Sequence, residues 1–215
     1  MAKRRVLITC ADRYMGPAIQ NKFQHLNYEV IAAPSPMTSE NKITKVVEVL
    51  VANCAYPPIT GKLEYLRNDD WMTLFDELVH PLMYAVRAVV PQMLERTSGK
   101  IIAITSAAPL KGIPNNSAYC AARGAQNSFI KAVGLELARS NIQVNAIAQN
   151  YINNDTYYPD DILKDERFIN HLNRNVPTKK IGSSEETAEL AACLANEQCN
   201  HMVGQILPLA GGWAT

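Results

Sequence analysis

The chain has 215 residues and a formal net charge of +1; hydrophobic residues make up 47% of it and charged residues 19%. This composition is enough for one domain with a substantial core, and we expect a single domain over residues 1–215. The longest basic run is Lys3-Arg4-Arg5, so the charge pattern argues against a nucleic-acid partner. The five cysteines lack metal-ligand spacing, and no signal peptide or membrane-spanning apolar run is present, so we expect a cytoplasmic protein without a metal.

In chain order, short β-rich runs alternate with longer helical patterns. The predicted strands are Val6–Thr9, Glu29–Ala33, Val49–Asn53, Lys100–Thr105, Gln143–Ala148 and Ile206–Pro208. The predicted helices are Met15–Leu26, a long tract Asp69–Glu95, Ala118–Ala138 and Ser184–Leu194, with a short amphipathic piece at Lys42–Val47. This alternation predicts an α/β fold, a doubly wound (Rossmann-like) parallel sheet with helices on both faces. Functional residues then belong at the carboxyl ends of strands, where Thr9 and Ser106 fall.

Four local features refine this prediction. Pro81 and Pro91 predict a break or bend in the long helix. Ser184, followed by Thr187-Ala188-Glu189, indicates a capping-box start for the last helix. Only about fifteen residues join the second and third strands, too few for a helix, a strand and a helix, so the edge strand there is expected to be missing or rudimentary. The polar and aromatic segment Tyr151–Val176 predicts a lid-like excursion.

The stretch ITSAAPLKGIPNNSAYCAARGA, residues 104–125, carries the chemistry. Ser106 follows a strand, Tyr119 lies in the next helix, and Arg123 shares a helix face with Tyr119 because it is four residues later. A free tyrosine has a pKa of about 10, too high for an efficient base at neutral pH, but a nearby guanidinium favours the phenolate. With the Ser106 hydroxyl holding a substrate oxygen, this trio can exchange a proton with an alcohol. The simpler alternative is that Tyr119 and Arg123 form only a surface pair.

This arrangement resembles the short-chain dehydrogenase/reductase superfamily, in which the cation is a lysine; Asn145-Ala146-Ile147 and Gly204-Gln205 are also similar to it. The signals that bind a dinucleotide in that superfamily are largely missing. Its glycine-rich turn is replaced by residues 9–16, Thr-Cys-Ala-Asp-Arg-Tyr-Met-Gly. Ala33 and Pro34 stand where an acid would hold the adenosine ribose, and Gln149-Asn150 replaces the usual Pro-Gly. These departures argue against a nicotinamide, and we expect no cofactor.

The halohydrin dehalogenase family resembles this chain in both halves of the pattern, Thr9-x4-Tyr14-x-Gly16 and Ser106-x12-Tyr119-x3-Arg123. The resemblance implies a cofactor-independent lyase that converts vicinal haloalcohols to epoxides, releasing halide and a proton. In reverse, such enzymes open epoxides with small anions such as azide, cyanide and nitrite. The resemblance gives Tyr119 the role of proton acceptor, Arg123 that of stabilising its phenolate, and Ser106 that of orienting the substrate oxygen.

The resemblance places the halide site in the segment NYINNDTYYP, residues 150–159. The backbone N–H groups of Asn150, Tyr151 and Ile152 would hold the anion, and Tyr14 and Tyr158 would supply aromatic walls. A simpler interpretation of the two tyrosines at 157–158 is a packed lid.

Three further expectations concern assembly, support of the arginine and alternative functions. Family members are usually tetramers, so the resemblance implies a homotetramer packed through the helices at Asp69–Glu95 and Ala118–Ala138. Some members support the arginine with an acid where this chain has Cys54. The alternatives to a dehalogenase are an NAD(P)-dependent short-chain reductase with an atypical cofactor site and a non-catalytic binding protein on the same scaffold.

Overall fold

The structure, a computed structural model, describes residues 3–33 and 35–215. Its strands are β1 (Arg5–Ile8), β2 (Glu29–Ala32), β3 (Val49–Ala52), β4 (Gly99–Ser106), β5 (Ile142–Gln149) and β6 (Ile206–Leu209). These strands form one parallel sheet in the order β2-β1-β3-β4-β5-β6. The predicted doubly wound α/β fold is therefore confirmed.

Helices cover both faces of the sheet. They are α1 (Gly16–His25), α2 (Asn68–Arg96), α3 (Ala108–Lys111), α4 (Ser117–Leu137), α5 (Asp160–Lys164), α6 (Glu166–Asn175) and α7 (Ser184–Ala195), with 3₁₀ turns at Leu63–Tyr65 and Ala138–Ser140. Helices α1 and α7 pack together, as do α2 and α4. Of the described helices, none is both long and apolar enough to cross a membrane.

The two cores follow from the alternation of side chains along each strand. Val6 and Ile8 of β1 pack with Phe23 of α1 in one cluster, whereas Leu7 packs with Leu82 of α2 in the other. The sheet is thus buried on both faces, as expected for parallel strands. The candidate site lies at the edge of the sheet where the strands have their carboxyl ends.

The short connection after β2 forms no strand within residues 35–47, so β2 is the edge of the described sheet, as predicted. The predicted amphipathic piece Lys42–Val47 is neither helix nor strand in the structure. It is fixed to α2 instead, because Gln92 Oε1 accepts from the Val47 N–H at 2.8 Å and Arg96 Nη2 donates to the Val47 carbonyl at 2.7 Å.

Of the predicted break or bend in the long helix, a break does not occur, since α2 runs without interruption through both Pro81 and Pro91. A buried face that includes Leu74 and Leu82 packs on both sides of Pro81 and outweighs the local cost of the ring. In addition, Gln126 of α4 donates to the Leu78 carbonyl at 2.6 Å, beside the gap in the helical hydrogen bonds that Pro81 leaves.

The capping box of α7 lies one residue earlier than predicted. Ser183, not Ser184, is the N-cap residue, and its hydroxyl accepts from the Glu186 N–H at 3.3 Å. The Glu186 carboxylate accepts in return from the Ser183 N–H at 2.8 Å. Because Glu186 is three residues after Ser183, the reciprocal pair forms only with this frame.

Candidate active site

Ser106, Tyr119 and Arg123 come together where β4 ends beside the first turns of α4. All three are buried, with exposed fractions of 5%, 7% and 4%. Asn127, one turn after Arg123, donates to the Ser106 carbonyl at 3.2 Å and ties the helix to the end of the strand. The same helix face therefore carries the phenol, the guanidinium and the anchor for Ser106.

The Ser106 hydroxyl has one hydrogen bond within the described protein. Its oxygen accepts from the Ala108 N–H at 3.1 Å, at the start of α3. This contact fixes the oxygen and leaves the hydroxyl hydrogen able to donate to a substrate oxygen.

Arg123 donates to four neutral acceptors. Its Nε donates to the Tyr119 hydroxyl at 3.1 Å, and its Nη2 donates to the Tyr157 hydroxyl at 3.3 Å. Its Nη1 donates to the Cys54 carbonyl at 3.0 Å and to Gln126 Oε1 at 2.9 Å. The position after β3, where some relatives of the resembled family place an acid, thus supports the arginine through a backbone carbonyl.

Burial governs the ionisation of the groups around this arginine. Burial by itself lowers the pKa of Arg123, but its interactions with Tyr119 and Tyr157 outweigh burial and leave the pKa above its ordinary value. Burial raises the pKa of the Cys54 thiol to about 12, so Cys54 stays a neutral thiol at neutral pH.

Tyr14 lies in the turn between β1 and α1, in the left-handed backbone region with φ +55°. Asn53 Nδ2 holds this turn by donating to the carbonyls of Cys10 and Arg13, both at 3.0 Å. Gly16 begins α1, and a Cβ there would clash with the carbonyl oxygens of Cys10 and Ala11. The tight strand-to-helix turn of a nucleotide-binding protein is therefore present, with a tyrosine inside it.

The segment after β5 corrects one part of the predicted halide site. The Asn150 N–H donates to the Leu209 carbonyl at 3.1 Å, extending the pairing of β5 with β6, so it is not free to bind an anion. The Tyr151 and Ile152 N–H groups donate to no backbone carbonyl of the described chain. Tyr151 has φ +52°, and its carbonyl accepts from the Gly182 N–H at 2.8 Å, which fixes this bend.

The lid-like segment contains α5 and α6 and brings two tyrosines to the cavity. Burial, followed by the charge of Tyr151 and Tyr119, raises the pKa of Tyr158 well above its ordinary value, although the Tyr151 backbone partly offsets this. Tyr157 donates its hydroxyl hydrogen to the Tyr56 carbonyl at 2.7 Å. The ring of Tyr157 also lies 5.9 Å from that of Tyr14, centroid to centroid.

A cavity of about 250 Å³ lies between these elements. All eight predicted site residues line it, namely Tyr14, Ser106, Tyr119, Arg123, Asn150, Tyr151, Ile152 and Tyr158. Among the described lining residues the only charged side chain is that of Arg123. The cavity thus has one positive charge and no acid, which favours a small anion or a developing oxyanion.

The sequence interpretation missed two contacts of Arg123. The sequence gives Tyr157 no role beyond a packed lid, because its contact with Arg123 depends on how the chain returns across the cavity. Gln126 gave a weak signal, because a residue three positions after Arg123 lies on the same helix face.

The residues present do not fit a nicotinamide dinucleotide. Four of the five N–H groups of the Arg123 guanidinium donate to protein oxygens, which leaves one N–H of Nη2 for any other partner. Tyr14 lines the cavity beside Tyr119. Ala32 ends β2 and Ala33 follows it without an acid, and Pro34 lies outside the described residues. No cluster of potential metal ligands is found within residues 3–33 and 35–215.

A protein-family model described as Enoyl-(Acyl carrier protein) reductase matches residues 37–214. Dehydrogenase/reductase SDR family member 4 of Bos taurus is 29% identical over 166 residues, which is 77% of this chain and 59% of that protein. The 3-oxoacyl-[acyl-carrier-protein] reductase FabG of Chlamydia muridarum is 33% identical over 150 residues, 69% of this chain and 58% of that protein. The matched regions therefore span less than two thirds of these relatives.

Solved structures resemble the whole chain. A structure described as a dehalogenation enzyme has a TM-score of 0.89 at 27% identity and covers 99% of this chain and 98% of its own. A halohydrin dehalogenase bound to ethyl (2S)-oxiran-2-ylacetate has a TM-score of 0.90 at 23% identity, with 98% and 97% covered. An NADP-bound structure, ElxO, has a TM-score of 0.88 at 20% identity, with 99% of both chains covered. The last two likenesses concern the fold alone.

Proposed function

The chain belongs to the short-chain dehydrogenase/reductase superfamily, and we propose that it is a halohydrin dehalogenase, which converts vicinal haloalcohols to epoxides without a cofactor. The observation that carries this proposal is that Tyr14 lines the same cavity as Ser106, Tyr119 and Arg123. The place beside the proton-transfer residues is thus walled by an aromatic ring. The likeness to a dehalogenation enzyme at 27% identity also supports it.

In the forward reaction, the Tyr119 phenolate takes the hydroxyl proton of the haloalcohol, and the Ser106 hydroxyl donates to the same oxygen. The resulting alkoxide oxygen attacks the neighbouring carbon from the side opposite the halogen. The new C–O bond closes the epoxide as the C–halogen bond breaks, and both electrons of that bond leave with the halide. The proton rests on Tyr119 until solvent removes it, so atoms and charge balance without hydride transfer.

Halide departure is favoured where its negative charge develops. The Tyr151 and Ile152 N–H groups, which donate to no backbone carbonyl of the described chain, are the proposed donors, with the rings of Tyr14 and Tyr158 as walls. Asn150 contributes to the lining but not its N–H, which is used by Leu209. In the reverse direction the same place holds azide, cyanide or nitrite while Tyr119 protonates the opening epoxide.

Halide release from a panel of vicinal haloalcohols, followed by ion chromatography without added nucleotide, tests the proposal. We expect stoichiometric halide and epoxide from the wild-type protein. If no member of the panel releases halide from the folded protein, the proposed activity is wrong.

The second candidate is an NAD(P)-dependent reductase, which is favoured by the reductases among the sequence relatives. Saturable quenching of Trp71 or Trp213 fluorescence by NADH or NADPH would support this candidate. The dehalogenase proposal predicts no saturation, because the ring of Tyr14 lines the cavity beside Tyr119, where a nicotinamide ribose would have to lie.

We further propose a homotetramer that packs through α2 and α4. Leu94 and Met72 on α2 and Leu135 on α4 are exposed in the single chain, Leu135 by 73%, and their burial would favour association. Light scattering coupled to size-exclusion chromatography measures the mass directly, and a monomer would contradict this part of the proposal.

A further inference from the structure

Arg123 holds two phenol oxygens with a single edge of its guanidinium. Nε donates to the Tyr119 hydroxyl at 3.1 Å, and Nη2 donates to the Tyr157 hydroxyl at 3.3 Å. These parallel N–H groups form the edge that grips the two oxygens of a carboxylate in a bidentate ion pair. Here two side chains from separate elements, α4 and the lid, occupy that edge together.

No carboxylate oxygen of the described chain lies within 4.0 Å of an Arg123 nitrogen, the limit for an ion pair. The charge of Arg123 is therefore not neutralised by an acid. Its other partners, the Cys54 carbonyl and Gln126 Oε1, are also neutral. A buried charge without a counter-charge is costly, so the site favours the appearance of an anion on this edge. Either phenol could supply it.

The two phenols differ in where their own hydrogens go. Tyr157 donates its hydrogen to the Tyr56 carbonyl at 2.7 Å while its oxygen accepts from Arg123, so losing the proton would break a hydrogen bond. Burial, and next the charge of Tyr119, raises the pKa of Tyr157 well above its ordinary value. Tyr119 has no described carbonyl as the acceptor of its hydrogen, and it faces the cavity. The anion therefore belongs on Tyr119.

We propose that Tyr157 is a positioning residue, which stays neutral and anchors Nη2 of Arg123 so that Nε, and the charge, are directed at Tyr119. The inference rests on the proposed function for the role of Tyr119 as proton acceptor. It assigns to the lid a part in activating the base as well as in covering the cavity.

Several titratable groups surround the Tyr119 phenol. Arg123 comes from the same helix as Tyr119, Tyr157 and Tyr158 come from the lid, Tyr14 comes from the turn after β1, and Cys54 follows β3. Only Arg123 among them carries a charge at neutral pH before Tyr119 ionises.

The test is the ionisation of Tyr119 in the free protein, followed by tyrosinate absorbance as the difference between a protein with Tyr119 and its Tyr119→Phe counterpart. In Tyr157→Phe we expect the midpoint to move upward by about one pH unit, because Nη2 loses its anchor and the phenolate loses part of its stabilisation. The acid limb of the pH profile of kcat/KM should move upward by the same amount. On that limb we expect kcat to fall about tenfold while KM is unchanged.

Tyr56→Phe is the matched control, because it also removes one phenol hydroxyl but keeps the backbone carbonyl that holds Tyr157. We expect it to leave the Tyr119 midpoint in place. Near-ultraviolet circular dichroism checks the fold; if Tyr157→Phe is damaged, Tyr157→Gln keeps a neutral oxygen that can accept from Nη2 and should give a smaller shift in the same direction.

An unmoved midpoint in folded Tyr157→Phe overturns the positioning role, even if the wild-type protein releases halide. A moved midpoint in a protein that releases no halide supports the positioning role and refutes the proposed reaction. The titration uses no haloalcohol, so the two failures are distinct.

Discussion

The cavity has two walls that depart from a reductase to different degrees. One wall, the end of β4 with α4, presents Ser106, Tyr119 and Arg123, the serine, tyrosine and cation of the superfamily with arginine in place of lysine. The opposite wall comes from the β1 turn, where Tyr14 stands in a turn that is glycine-rich in reductases, and from the segment after β5, which adds the ring of Tyr158. In the proposed reaction, proton transfer depends on the first wall, and the choice of leaving group depends on the second.

The difference teaches that proton exchange and the choice of leaving group are separable. A phenol and a cation can exchange a proton with any alcohol oxygen they reach. Whether a hydride leaves the carbon that bears this oxygen, or a halide leaves the next carbon, depends on which group the other wall can hold. Substitutions on one wall should therefore change activity in a different way from substitutions on the other.

The largest effect is expected from Tyr119→Phe, which removes the proton acceptor from the first wall. Halide release should fall by about a thousandfold or more, while the melting temperature stays near that of the wild type. Steady-state halide release with Tyr65→Phe as control, a change at an exposed tyrosine, measures this. A variant with full activity would show that Tyr119 is not the base.

Arg123→Lys restores the superfamily cation on the first wall and leaves the second wall unchanged. We expect kcat/KM to fall by about a hundredfold, because an ammonium cannot reproduce the fork that reaches Tyr119, Tyr157 and Cys54 together. The variant should still not bind NADH, since Tyr14 remains in place. Fluorescence titration with NADH checks the second expectation; tight binding would show that the cation alone excluded the nucleotide.

Tyr14→Gly opens the second wall and spares the first. We expect bromide affinity to fall about tenfold, while Tyr119 ionises as in the wild type. The free energy of unfolding should change by less than about 1 kcal/mol, since relief of the left-handed strain at φ +55° offsets the lost apolar contact. Bromide competition and chemical unfolding give the two values, and unchanged bromide affinity would remove Tyr14 from the halide site.

The smallest effect concerns stability at alkaline pH, which depends on buried acidic groups around the cavity. Burial raises the pKa of the Cys54 thiol from 9.0 to about 12, and it also raises the pKa of Tyr157 and Tyr158. The folded state thus holds these protons more tightly than the unfolded state. The contribution of these groups to stability should be level below about pH 9 and fall as the pH rises towards 12.

Unfolding by urea across this range measures the decline, with Cys54→Ala as the comparison. Removing the thiol should make the decline less steep just above pH 9, where the unfolded cysteine ionises first. Identical slopes would show that Cys54 does not contribute.

The sequence predicts the fold well because strand and helix patterns are local and the short 34–47 connection bounds the sheet. The spacing of Tyr119 and Arg123 likewise follows from helix geometry alone. Its errors arise where distant packing decides. The continuity of α2 through Pro81 depends on contacts with the sheet and with Gln126, and the Arg123–Tyr157 contact depends on the path of the lid. The Asn150 N–H was misassigned because its pairing with Leu209 depends on how far the β5–β6 ladder extends.

A crystal structure of the protein soaked in bromide tests the central claim most directly, because the anomalous signal locates the ion. We predict a bromide beside the Tyr151 and Ile152 N–H groups, in the cavity that Tyr14 lines and facing Tyr119. A cavity without bromide, or a nicotinamide nucleotide bound across Tyr14, would contradict the account.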